Sequence, residues 1–167
     1  MSERRLEVQR AIAASPSKIF AVLSDPRGHV EIDASGMLMS ATEPPVTAVG
    51  DRFDIEMDRD SLRDFDLGEY RVTVVIETFI QDQEIAWSID GVTQPPIGHI
   101  YGYRLQETDG GTLVSSYYDW ANTHPAHDEL VNENFPIISE TQLLATLGIL
   151  ARTVAPGKSR PGAHRSN

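Results

Sequence analysis

HIYGYRLQETDGGTLVSSYYDWA, residues His99 to Ala121, carries two runs of alternating apolar and polar side chains on either side of Asp109-Gly110. Alternation with period two marks half-buried strands, and Asp-Gly is a favoured type I′ hairpin dipeptide. A two-residue loop places His99, Tyr101, Tyr103 and Leu105 on one face with Val114, Ser116, Tyr118 and Trp120, and sends Arg104 and Gln106 to water. A three-residue loop that used Gly111 would reverse the second strand and turn Tyr117 and Asp119 inward. The two-residue register is preferred here.

Working upstream, Glu69 to Ile80 and Glu84 to Ile89 read as a second hairpin. A two-residue Asp82-Gln83 turn would pair Gln81 with Glu84 and put Val74, Ile76 and Thr78 on the face of Ile85, Trp87 and Ile89. The opposite face then carries Arg71, Thr73, Glu77, Glu84 and Asp90. Arg52 to Asp58 alternates Phe53, Ile55 and Met57 with acidic residues, Met37 to Ala41 is a short strand, and Arg4 to Ala13 shows Leu6, Val8, Arg10 and Ile12 on one parity. That makes seven strands. Between the first two, Ser15-Pro16 supplies a cap and a first-turn proline for a short helix ending at Asp25-Pro26, and a second short helix runs from Pro26 to about Asp33. The spacing of Ile137, Thr141, Leu144, Leu147 and Leu150, with Leu143 beside them, predicts a long C-terminal helix over Pro136 to Val154.

Composition closes several function classes. The chain has 167 residues, enough for one domain with a sizeable core, and its net charge of −11 argues against a phosphate-backbone partner. It has no cysteine, so disulfides, thiolate metal sites and thiol nucleophiles are excluded. No apolar run reaches membrane-spanning length and the N-terminus lacks a signal-peptide core, so a cytoplasmic protein without a membrane span is expected. Residues 1–154 read as the domain. Residues 155–167, rich in Pro, Gly, Ser and Arg, read as a flexible basic tail. The eight acidic residues of Asp51 to Glu69 read as a solvated outer strand face rather than a cation site.

The order of strand, two short helices, six strands and long helix is distinctive, and particular residues sharpen it. AIAASPSKIFAVLSDP at Ala11 to Pro26, GHVEIDASG at Gly28 to Gly36, VGDRFDIEM at Val49 to Met57 and GGTLVSSYYDWA at Gly110 to Ala121 resemble the START-like, or SRPBCC, superfamily with its birch-pollen-allergen-like helix-grip fold. Within it they resemble the bacterial polyketide cyclase/dehydrase and lipid-transport group. The resemblance covers about residues 4–154. It implies an α+β domain whose seven-stranded curved antiparallel sheet grips the C-terminal helix around a cavity for a hydrophobic ligand.

Such a cavity gives the inward residues a use. Phe53, Ile55, Met57, Trp87, Tyr101, Tyr103, Ser116, Tyr118, Trp120, Leu144 and Leu147 are the candidate ligand-binding residues, a mix of apolar walls and polar tips suited to a molecule bearing one or two oxygens. His29 and Asp33, four apart on the second short helix, are candidates for the cavity mouth, where they could orient one another. If there is chemistry, His99 is the expected acid or base, because it alone of five histidines falls on an inner strand face, and Tyr101 lies two residues along. His124 and His127 sit on a Pro-containing loop, but no third ligand has a recognisable spacing, so neither a metal nor any other cofactor is expected. Two functions follow. One is binding or transfer of a lipid, polyketide or similar molecule. The other is a cyclase, aromatase or dehydratase acting on a cavity-bound polyketide, which the resemblance associates with an arginine inside the cavity; by parity Arg71 and Arg104 point outward. A co-chaperone-like partner role has little support in the sequence, and a homodimer is possible.

Overall fold

The structure is a computed structural model that describes residues 3–162. Strands β1 (Arg5–Ile12), β2 (Leu38–Ser40), β3 (Arg52–Asp58), β4 (Glu69–Ile80), β5 (Glu84–Asp90), β6 (Ile100–Thr108) and β7 (Gly111–Asp119) form one antiparallel sheet in the order β1-β7-β6-β5-β4-β3-β2. Helices α1 (Pro16–Leu23) and α2 (Pro26–Ile32) lie between β1 and β2. Two more, α3 (Asp128–Asn134) and α4 (Glu140–Val154), follow β7. This is the α+β helix-grip architecture. No helix among the described residues is long and apolar enough to cross a membrane.

Local chemistry fixes the short helices. Ser15 Oγ accepts the Lys18 N–H and Pro16 starts α1, while Asp25 accepts the Arg27 N–H and Pro26 starts α2. The two helices touch at Gly28, where a Cβ would stand 2.0 Å from the carbonyl oxygen of Val22. Only glycine permits that approach. Ile19, Phe20 and Leu23 on α1 are fully buried against the sheet, where the Phe20 ring meets Phe79 edge-on.

Helix α4 starts later than the sequence predicts, at Glu140. Its N-terminus is a capping box in which Ser139 Oγ accepts the Gln142 N–H and Gln142 Oε1 accepts the Ser139 N–H. Residues 136–139, expected in the helix, lie outside it, with bends at Ile137 and Ile138. Leu143, Leu147, Leu150, Ala151 and Val154 form the buried stripe, and α4 packs against β1, β7, α1 and α2. The helix therefore covers one half of the inner sheet face. The other half, from β3 to β6, is where space remains.

The β6–β7 hairpin has the two-residue register, with Thr108 opposite Gly111, Tyr103 opposite Ser116 and Tyr101 opposite Tyr118. Its turn is not type I′, since Gly110 has positive φ and Asp109 does not. Tyr117 lies on the outer face above Gly102, under the guanidinium groups of Arg5 and Arg104, and its hydroxyl donates to Glu84 at 2.6 Å. In the β4–β5 hairpin the expected turn is one residue too short. Ile80 pairs with Glu84 across a three-residue turn in which Asp82 takes φ 61°. A bulge between Ile76 and Thr78 restores the parity, so Val74 and Ile76 lie on the face of Trp87 and Ile89 as expected, with Ile76 opposite Trp87 and Val74 opposite Ile89, whereas Phe79 rather than Thr78 joins Ile85 on that face.

Part of the expected tail is anchored. Ala155 is buried, and Arg10, on the inner parity of β1, reaches past Gly148 of α4 to donate to the carbonyl of Ser159 at 2.8 Å. Residues 163–167 of that segment lie outside the described residues.

Candidate ligand-binding cavity

A cavity of about 330 Å³ lies between the β3–β6 half of the sheet and the elements facing it. Ile55 and Met57 of β3, Val72 and Val74 of β4, Trp87 and Ile89 of β5, and Tyr101 and Tyr103 of β6 form its floor. The alternation that made these positions apolar is what turns them to one side. Leu23 and Ile32 close one flank, and Leu143 of α4 with Leu130, Phe135, Ile137 and Ile138 close another. Leu67 and Val92 line the cavity and are also exposed, 39% and 56%, which puts its mouth between the loops that follow β3 and β5.

One end of the cavity is polar. His99 Nδ1 is 2.6 Å from the Tyr118 hydroxyl, which is in turn hydrogen-bonded to the Tyr101 hydroxyl. Burial, with the positive charge of Arg59 adding to it, pulls the His99 pKa down to about 4, so the imidazole is neutral at neutral pH. Its Nε2 has no hydrogen-bond partner among the described residues. Burial also pushes the hydroxyls of Tyr101, Tyr103 and Tyr118 above the ordinary phenol range. Arg59 completes this end. Its Nε and Nη2 donate to the two carboxylate oxygens of Asp64 at 2.9 and 2.7 Å, and its Nη1 donates to the Tyr70 hydroxyl at 3.2 Å. Burial opposes its charge, but the bonds to Asp64 and Tyr70 outweigh this and hold the guanidinium above its usual range. The same pair holds the Asp64 carboxyl below the usual carboxylate range.

Of the residues named from sequence, Ile55, Met57, Trp87, Tyr101, Tyr103, His99, His29 and Asp33 line the cavity, and Phe53, Ser116, Tyr118, Trp120, Leu144 and Leu147 do not. The reasons differ. Phe53 is in the core beneath the His29 ring, 5.1 Å between centroids. Ser116, Tyr118 and Trp120 point inward as the register requires, but β7 is one of the strands that α4 packs against, and Tyr118 is fully buried behind His99 and Tyr101. Leu147 is fully buried in the core, and Leu144 is 47% exposed, since it stands one residue off the stripe that Leu143 leads.

His29 and Asp33 do not orient one another. His29 Nε2 donates to the Leu23 carbonyl at 2.8 Å and its ring packs on Trp87, with burial pulling its pKa down to about 4. Asp33 is occupied by its own loop, accepting from the N–H groups of Ser35, Gly36 and Leu38 and from Ser35 Oγ. His124 and His127 are likewise engaged locally, with the Ala126 N–H and the Pro95 carbonyl. Among the described residues no three His, Asp or Glu side chains are grouped to hold a metal ion.

The cavity cation that sequence reading missed is Arg59. It continues the parity of Phe53, Ile55 and Met57, and this was the available signal. The strand ends at Asp58, and the surrounding aspartates disguise the position as solvated loop. Helix α3, which brings Leu130 to the wall, was also missed, because its start at His127 has neither the side-chain cap nor the first-turn proline that marked α2.

No protein-family model matches the chain. An uncharacterized protein of Mycobacterium tuberculosis, Rv0088, is 27% identical over 111 residues, which are 65% of this chain and 44% of that protein; the match thus spans less than half of the relative's length. Among solved structures, protein CV1439 of Chromobacterium violaceum superposes with a TM-score of 0.65 at 17% identity, covering 92% of this chain and 98% of the other. The Aha1 dimer of Colwellia psychrerythraea gives 0.59 at 19%, covering 92% and 98%. DynU16, described as a putative protein in the dynemicin biosynthetic locus, gives 0.57 at 13%, covering 96% and 50%. These likenesses establish the fold.

Proposed function

We propose that this chain, which has the helix-grip fold of the START-like superfamily, takes up one small and mostly apolar molecule in its internal cavity. A lipid, a polyketide or a similar compound is the class intended, and the cytoplasm is the compartment. The observation that carries this reading is a space of about 330 Å³ with apolar walls and one polar end. At roughly 24 cal/mol per Å³, an apolar void of that size left empty would cost about 8 kcal/mol, comparable to the whole stability of a domain. An occupant removes that cost. The Tyr70 and Tyr101 hydroxyls and the His99 imidazole at the polar end would then orient a ligand oxygen.

The enzyme reading keeps one specific support, since Arg59 is the cavity arginine that resemblance to polyketide cyclases asks for. Two features favour binding over it. Arg59 is already held by Asp64 and Tyr70, and an imidazole pulled down to about 4 is a weak base at neutral pH while tyrosines pushed above their usual range are weak acids. The test is native mass spectrometry of gently purified protein, with a one-to-one small-molecule adduct expected. Turnover of an added polyketide that is lost in His99→Gln would instead support the enzyme. Pairing of two copies is a separate expectation, checked by light scattering.

A further inference from the structure

Among the described residues the cavity has no uncompensated positive charge. Its one lining cation, Arg59, is only 7% exposed and forms a two-pronged ion pair with Asp64. The imidazoles of His99 and His29 are neutral, and the lining carboxylate Asp33 is saturated by its own loop. Outside, with Asp64 paired to Arg59, the loop that follows β3 carries Asp60 and Asp66 against Arg63, an excess of one acidic charge at the mouth. A ligand carboxylate would meet this acidic rim on entry. Inside, it would be a buried anion beside a guanidinium already neutralised, an arrangement that water strongly opposes.

Neutral oxygens have partners at the same place. Tyr70 accepts from Arg59 and keeps its own O–H to donate, Arg59 retains N–H groups beyond those given to Asp64 and Tyr70, and His99 Nε2 has no partner among the described residues. Resting on the binding reading above, we infer that the cavity selects apolar molecules whose head is an uncharged oxygen, a hydroxyl, phenol or ketone, and rejects the corresponding carboxylates. The Arg59–Asp64 pair is the selectivity device. Asp64 occupies the guanidinium edge that an incoming carboxylate would otherwise use.

The experiment is calorimetric titration of the full chain at pH 7.5 with three probes that share one ring system: 2-naphthol, 2-acetonaphthone and 2-naphthoate. The naphthol and the ketone are expected to bind at least tenfold more tightly than the carboxylate. Equal or tighter binding of 2-naphthoate overturns the inference while leaving the cavity as a binding site. No binding by any of the three overturns the binding reading, and the head-group selectivity falls with it. Asp64→Asn, which frees the guanidinium edge, is expected to raise naphthoate affinity at least fivefold and to change naphthol affinity by less than threefold. An unchanged ratio in a folded Asp64→Asn protein assigns the selectivity elsewhere, and the wild-type comparison stands whether or not that variant folds.

Discussion

Replacing Ile55 by Phe distinguishes a real internal space from a tightly packed core. Ile55 is 3% exposed, sits opposite Val72 on the inner face and lines the cavity, so a larger side chain there has only the cavity to enter. Phe adds three carbons, worth about 2.4 kcal/mol of burial at roughly 0.8 kcal/mol per carbon. Reorientation and lost rotamer freedom take back about 1 kcal/mol, leaving a net stabilisation of about 1.4 kcal/mol, or roughly 3–6 °C in melting temperature for a chain of this size. A close-packed site would instead lose about 1–3 kcal/mol to overpacking. Urea unfolding of both proteins, read at constant m, measures the sign. Titration with 2-naphthol should show affinity lowered at least tenfold in the same variant. A variant that is destabilised by 1 kcal/mol or more and still binds the probe as the wild type does would refute the idea that this space exists and is the site.

Stability should fall between about pH 6.5 and pH 4, because the unfolded chain binds protons on His29 and His99 there while the folded one, with both pKa values near 4, does not. The full loss is up to about 3 kcal/mol for each histidine, and urea midpoints across that range should flatten in His99→Phe; an unchanged slope contradicts the buried neutral imidazole. Gly102→Ala places a Cβ 2.2 Å from the Tyr117 ring, so it should cost about 1–3 kcal/mol by thermal unfolding and be partly rescued by Tyr117→Val. Ser139→Ala removes half of the capping box at the start of α4 and should cost about 1 kcal/mol by the same assay.

The fold was legible because its strands alternate cleanly and its turns carry Gly, Asp and Pro. The two-residue β6–β7 register followed from Asp109-Gly110 even though the turn type did not, since register depends on loop length and only secondarily on the sign of φ at Asp109. The β4–β5 hairpin came out with the right inner face by two compensating features, a longer turn and the bulge near Glu77, neither of which has a composition signal. The site was only half legible. Parity says which side of the sheet a residue faces, and it identified Ile55, Met57, Trp87, Tyr101 and Tyr103; it does not say which half of that face a helix covers. Tyr118 and Leu147 were therefore assigned to a space that α4 and its neighbours fill. Arg59 went unread because a buried cation is recognised by its partners, and Asp64 comes to it only through the folding of the loop between β3 and β4, while Tyr70 comes from the pairing of β4 with β3.

The central claim is that one apolar molecule lies between the β3–β6 floor and the elements opposite, and intermolecular nuclear Overhauser effects from bound 2-naphthol locate it directly. Cross-peaks to the Ile55 and Val74 methyl groups and to the Trp87 ring are predicted. Cross-peaks confined to the exposed Val49, Ile80 and Leu144 would place the probe on the outer surface and contradict the account.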